Sequence, residues 1–218
     1  MYNLPYFKEK DFPVLLDFMK QHPFVVLCGT DGNNKPVATQ VPVLFDMRED
    51  QLFLTGHMMR QTDHQKAFMV NPEALVLFTG PHTYVSASWY TDPRQGSTWN
   101  YMTVHARGKL SFLPQEQLHQ VLERTTALFE NNDQSPSLFG KLPQEYVKRL
   151  VPAITAFEIT VQSIENVFKL SQNRDEESYI NIISRLMQGN EDAQIIAYEM
   201  KKRQAALYAN NTLQNDAT

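Results

Sequence analysis

Between residues 24 and 112 the chain repeats one pattern, a strand-length apolar stretch followed by a turn. "FVVLCGT", "VATQVPVLF", "QLFLTG", "EALVLFTG", "TYVSASWY" and "TWNYMTVHARGKLSF" are rich in β-branched and aromatic residues. The first two are separated by "DGNNKP", a cluster of turn formers, and read as a hairpin. Pro42 lacks an N–H, so the second strand must lie at a sheet edge or carry a bulge there. "ITAFEITVQSIENVFKL" alternates as a long final strand. The regular spacing predicts a mainly β, α+β chain built on an antiparallel barrel of six or seven strands, not a βαβ fold.

Helices are predicted before, between and after these strands. In "DFPVLLDFMKQHP" Asp11 can cap, Pro13 suits the first turn, and Leu15, Phe18 and Met19 share a face until Pro23 ends the helix. "LPQEQLHQVLERTTALFE" puts Leu118, Val121, Leu122, Thr125 and Phe129 on one side. After "DEES" a helical stripe runs through Tyr179, Ile182, Ile183, Leu186 and Met187, and a frayed end is expected over 209–218. The predicted organisation is a barrel domain over 1–172 with a helical extension over 173–218.

Composition narrows the function classes. With 218 residues and 42% hydrophobic content the chain can bury a sizeable core. No apolar run approaches the roughly 20 residues that span a bilayer, and "MYNLPYFKEKDF" lacks a basic and then apolar leader, so no membrane contact and a cytoplasmic location are expected. The net charge of −4 argues against a generally basic, nucleic-acid-binding surface. Cys28 has no second cysteine to pair with and reads as a small buried apolar residue.

The segment "LTGHMMRQTDHQKAF" holds most of the candidate chemistry. Were residues 57–68 helical, His57, Arg60 and His64 would share a face, but the two histidines would stand two turns apart with an arginine between them. That spacing disfavours a metal. No nucleophile elbow, HExxH, paired-cysteine zinc signature or P-loop is present, so no catalytic residue is assigned. A strand ending at Gly56 and leading into a helix start would present free N–H groups, with Arg60 adding a cation suited to phosphate. From these residues alone a phosphate grip and a solvated surface both stay open.

Four blocks, "GHMMRQTDHQ", "FTGPHTYVSASWY", "STWNYMTVHARGKL" and "FKLSQNRDEE", occur in the order and approximate spacing of the PaiB family, the FMN-binding negative transcriptional regulators. The resemblance runs from about residue 1 to residue 190. It implies a split β-barrel of the FMN-binding, pyridoxamine-phosphate-oxidase-like type with flanking and C-terminal helices, forming homodimers with FMN where two barrels meet. It also implies that Thr39, Gln40 and Val41, with His57, Met58, Arg60 and Gln65, hold the flavin phosphate and ribityl chain. Trp99, Asn100 and Tyr101 would lie near the ring or the dimer seam, and Lys169, Gln172, Asn173 and Arg174 at the pocket rim. "QTDHQKAF" after Arg60 departs from the family's "NPQW" pattern, although His64 and Lys66 suit phosphate.

The family label leaves three functions to weigh, because fold alone does not specify activity. They are a flavin-binding regulator of transcription, an FMN-dependent oxidoreductase acting on a small substrate, and a dimer that binds a different anion or a haem-like ligand. DNA contact follows from the label only. The nearest basic cluster is Lys201, Lys202 and Arg203 in "YEMKKRQAALYAN", without a convincing helix-turn-helix.

Overall fold

A computed structural model describes the backbone of residues 1–215 and side chains as far as Ala209. The helices are α1 (Phe12–Gln21), α2 (Asp63–Val70), α3 (Gln115–Glu130), α4 (Gln144–Leu150), α5 (Glu176–Leu186) and α6 (Glu191–Asn215). The strands are β1 (Phe24–Thr30), β2 (Pro36–Pro42), β3 (Leu44–Arg48), β4 (Gln51–Met59), β5 (Glu73–Val85), β6 (Thr98–Phe112) and β7 (Ile154–Lys169). They form one seven-stranded sheet in the order β2-β1-β5-β6-β7-β4-β3. The sheet is the expected split barrel: curled and antiparallel, with β2 and β3 as unjoined ends.

Local chemistry accounts for the first hairpin. Phe24 pairs with Pro42 and Thr30 with Pro36, so β2 is an edge strand and Pro42 sits at its last position, where a missing N–H costs no ladder bond. Asp31 Oδ1 accepts from the Asn33 and Lys35 amides at 2.8 and 2.9 Å, and Asn34 takes the left-handed conformation at φ 62°. Asn tolerates that region better than most non-glycine residues.

The chain divides into two compact units, one formed by Asp17–Phe78 with His105–Glu165, the other by Met1–Leu16 with Thr79–Val104 and residue 166 onward. In the first, Val25, Leu27, Val41, Leu54, Met58, Phe78 and Phe157 are buried inside the curl. Each such side chain stabilises the fold by about 1.5–3 kcal/mol. β4 lies against β2 so closely that a Cβ on Gly56 would stand 2.9 Å from the Pro42 carbonyl oxygen. Outside the curl, Leu118, Val121 and Leu122 of α3 pack on Ile154 and Ala156 of β7. Thr125 and Phe129, expected on the same stripe, are only partly covered.

In the second unit α5 packs on α6 through Tyr179, Ile182, Leu186, Ala193, Ile196 and Met200. The Tyr179 hydroxyl donates to the Met200 carbonyl at 2.9 Å, which joins the two helices by a buried polar contact. Asp175 caps α5, accepting from the Ser178 amide at 2.8 Å. The helical stripe narrows at its far side, where Ile183 is half-buried and Met187 exposed. α6 continues through Asn215 where fraying was expected, and 216–218 lie outside the described residues.

Candidate functional site

The first group of candidate residues belongs to β2, β4 and the turn before α2. The strand does not stop at Gly56. β4 pairs with β7 from Phe53↔Thr160 through Met59↔Ile154, and α2 begins only at Asp63. Pairing with a distant strand therefore overrides the helical reading of 57–62. His57 and Met58 are strand residues, and Arg60 lies in the turn, followed by Gln61 at φ 66°.

This changes what the turn offers an anion. The Arg60 amide donates to Ala153 O at 2.9 Å, the Gln61 amide to Gln65 Oε1 at 3.1 Å, the His64 amide to Asp63 Oδ1 at 2.8 Å and the Gln65 amide to the Thr62 cap at 3.3 Å. Four of the amides between Arg60 and Gln65 are thus already bonded, three of them to side chains of the same segment, which leaves fewer free N–H groups there than expected. What remains is the guanidinium. Arg60 Nε donates to Ile154 O at 2.8 Å and Nη2 to Gln115 Oε1 at 2.7 Å, which fixes the plane of the fork while leaving Nη1 for an anion.

His57 supplies the second feature. It lies on β4 opposite Ala156 of β7, and its Nδ1 is buried with no hydrogen-bond partner. Burial holds its imidazole below the ordinary value of 6.5, so the ring is neutral near neutral pH and carries one donor and one acceptor nitrogen. Along β2, Gln40 is exposed and Thr39 half-buried, whereas Val41 is buried, as is Met58 on β4, so their side chains serve the core. Gln65 is buried as well, its amide spent on Gln61 N and Met69 Sδ.

The second group belongs to the start of β6 and the loop after β7. Asn100 is fully buried, accepts from Ser171 Oγ at 3.0 Å and points its amide at Met200 Sδ, 3.5 Å away. Gln172 folds back on its own loop, donating to Phe168 O at 2.5 Å and accepting from the Leu170 amide at 2.7 Å. Both amides therefore shape the loop. Lys169 Nζ donates to Thr98 Oγ1 and lies 5.6 Å from the Tyr2 ring centre, with burial and then the nearby Arg174 charge lowering its pKa. Arg174 donates to Gln95 Oε1 and stacks 4.1 Å over Tyr90. Asn173 is exposed.

Trp99 is 51% exposed, its ring 6.0 Å from both His82 and Tyr84. Trp99 and His82, with Tyr101, Thr79 and Thr103, border a cavity of about 370 Å³. Sequence reasoning passed over Gln95, Thr98, Ser171 and Tyr90, which hold the loop's cations and amides. Ser171, Thr98 and Tyr90 lie inside the quoted blocks, whereas Gln95 carried no signal. Among the described residues no group of three His, Cys, Asp or Glu side chains could hold a metal ion, and no helix is long and apolar enough to cross a membrane.

An open, curled antiparallel barrel with α3 against β7 defines a split-barrel protein. The chain belongs to the PaiB family of FMN-binding-domain proteins: the model described as "Putative FMN-binding domain" matches residues 1–163, which leaves Lys169 to Arg174 beyond the matched segment. The protease synthase and sporulation protein PAI 2 of Bacillus subtilis is 34% identical, the comparison covering 85% of this chain and 89% of that one. Two solved structures share the fold. The FAD and heme binding protein of Mycobacterium smegmatis gives a TM-score of 0.53 at 16% identity over 74% of this chain and 72% of its own. A conserved hypothetical protein of Mycobacterium tuberculosis gives 0.54 at 10% identity over 78% and 91%.

Proposed function

We propose that this chain binds FMN and acts, as a homodimer, as a regulator of the PaiB type that lowers transcription of its targets. The observation that carries the flavin reading is the buried, unpartnered Nδ1 of His57 in a chain of an FMN-binding-domain family. A buried polar atom without a partner costs about 1–3 kcal/mol, and a ligand that supplies the missing hydrogen bond recovers it. Arg60, with its fork held in plane and Nη1 available, suits the phosphate, and the side chains of Thr39 and Gln40 suit ribityl hydroxyls. The residues present fit the cofactor.

When bound, FMN supplies reversible electron transfer. The protein's own contributions are binding and orientation. Neutral His57 exchanges a hydrogen bond without adding charge, and the Ile154 carbonyl and Gln115 amide keep Arg60 from collapsing onto the nearest acidic group. Exposed Trp99 and Tyr84 supply the aromatic seam for a second copy.

Regulation is assigned to a protein partner more readily than to direct DNA contact. Within the basic run of α6, Lys202 and Arg203 are both held by Glu199, and Arg203 also reaches Glu9 at 3.2 Å. With the Lys202 ammonium and one terminal nitrogen of Arg203 on the Glu199 carboxylate and the other terminal nitrogen on Glu9, a phosphate backbone has to displace these carboxylates to engage the run.

Titration of the purified protein with FMN, following flavin fluorescence and the visible spectrum, is expected to give saturable binding at micromolar or lower concentration. A titration without saturation removes the flavin reading and leaves the family label as a statement about fold. Bound flavin that is not turned over by a nicotinamide donor supports the regulator; steady turnover moves the protein to the oxidoreductases.

A further inference from the structure

Away from His57 and Arg60, the first unit contains a cavity of about 400 Å³ between the end of α1, β3 and α3, lined by Lys20, Pro23, Leu44, Phe45, Arg124 and Leu128, with Ala127 at its wall. The walls are mostly apolar and the polar groups are both cations. Arg124 leaves the flank of α3 next to the stripe that packs on β7. Its Nη2 donates to Asp46 Oδ1 at 2.6 Å, while Asp46 Oδ2 accepts from Thr55 Oγ1 at 3.3 Å. One nitrogen of the guanidinium is thus tied to Asp46, which leaves its other donors for a ligand in the cavity. Lys20, in the last turn of α1, adds a second, flexible positive charge, so that the cluster of Lys20, Arg124 and Asp46 carries a net charge of about +1.

Apolar surface persists at the mouth. Leu128, one of the lining residues, is 52% exposed. The dimensions lie within the range of small-molecule sites, which combine apolar walls with a few fixed polar groups. A planar fork matches a carboxylate, and the mostly apolar walls favour a monoanion with an alkyl body over a dianionic phosphate.

We propose that this cleft binds a medium-chain carboxylic acid as its anion, the carboxylate on Arg124 and Lys20 and the alkyl chain between Leu44, Phe45 and Leu128. The site is independent of the flavin reading and its ligand requires no redox partner. Each buried methylene then strengthens binding about fourfold, so octanoate exceeds hexanoate by tenfold or more. Octanol, with the same chain and no charge, binds more weakly than octanoate.

The test is isothermal titration of the full-length protein, without added flavin, with octanoate, hexanoate and octanol. Saturable binding of one octanoate per chain is expected, weakened at least tenfold in Arg124→Gln and abolished in Leu128→Trp, whose indole fills the mouth from an exposed position. Leu128→Trp keeps the question open to measurement should Arg124→Gln, which leaves Asp46 unpaired, fail to fold. Equal affinity for octanoate in wild type and Leu128→Trp, or equal affinity for octanol and octanoate, overturns the proposal. Sedimentation of both proteins is run alongside. No octanoate binding together with a mass that halves in Leu128→Trp assigns the cleft to a second copy of the chain and overturns it also, as does no binding with an unchanged mass.

Discussion

Ser171 Oγ donates to Asn100 Oδ1 across 3.0 Å, with both residues buried and Ser171 held at φ 62°. The pair ties the "KLSQNR" loop to the start of β6, and the loop's left-handed residue is kept in place by that bond. Asn100→Ala leaves the serine hydroxyl buried without its acceptor. The expected loss is about 1–3 kcal/mol in urea unfolding, and an unchanged midpoint means that the loop is held by its backbone alone.

Arg60→Ala is expected to weaken FMN binding at least tenfold while lowering stability by only about 1 kcal/mol, since the bonds to Ile154 O and Gln115 are partly solvated. Arg60→Lys keeps the charge but not the fork, so it recovers part of the affinity. Flavin titration that cannot tell Arg60→Ala from wild type takes Arg60 out of the site.

The pH dependence of stability follows from His57. Its folded pKa lies below the ordinary 6.5 because burial disfavours the charged ring. Below about 6.5 the unfolded chain therefore binds more protons than the folded one, so this contribution is full above that pH and is lost as pH falls through the folded value. His105, depressed chiefly by burial and then by Arg107 among its neighbours, has the same sign. Unfolding midpoints measured between about pH 5 and pH 8 are expected to fall on the acid side, with a shallower slope in His57→Gln. Identical slopes in the two proteins would show that His57 is solvated.

Gly108→Ala is the most damaging small substitution expected. A Cβ there would stand 2.1 Å from the Thr160 carbonyl oxygen, and a strand backbone cannot withdraw as a flexible side chain can. We expect a loss of at least about 3 kcal/mol, read as a fall in melting temperature or in soluble yield. Wild-type stability would mean that β6 and β7 can separate at this point.

Trp99→Ala tests the proposed homodimer. Its indole is half exposed beside His82 and Tyr84, a patch too aromatic for ordinary surface. Sedimentation velocity at micromolar concentration is expected to shift from the dimer mass toward the monomer. A variant that sediments with the wild type places the seam elsewhere.

Much of the barrel was legible in the chain. Alternation marked β7, the "DGNNKP" turn marked the first hairpin, and Pro42 marked an edge strand, because each depends on neighbours within a few residues. The 57–62 stretch was not legible as strand. The spacing of His57, Arg60 and His64 suits a helix face, and only pairing with β7 extends β4 to Met59.

The candidate site divides the same way. Which side chains carry donors, cations and rings was set by residue identity alone, and the recurrence of four blocks was enough to place the chain in its family. Which of those groups are already spent was decided by the tertiary structure. Arg60 finds Ile154 at a separation of 94 positions, and Asn100 finds Ser171 at 71. Sequence determines the local period of the backbone and the inventory of polar groups, whereas hydrogen bonds between distant segments exist only once the sheet has curled and brought them within 3 Å.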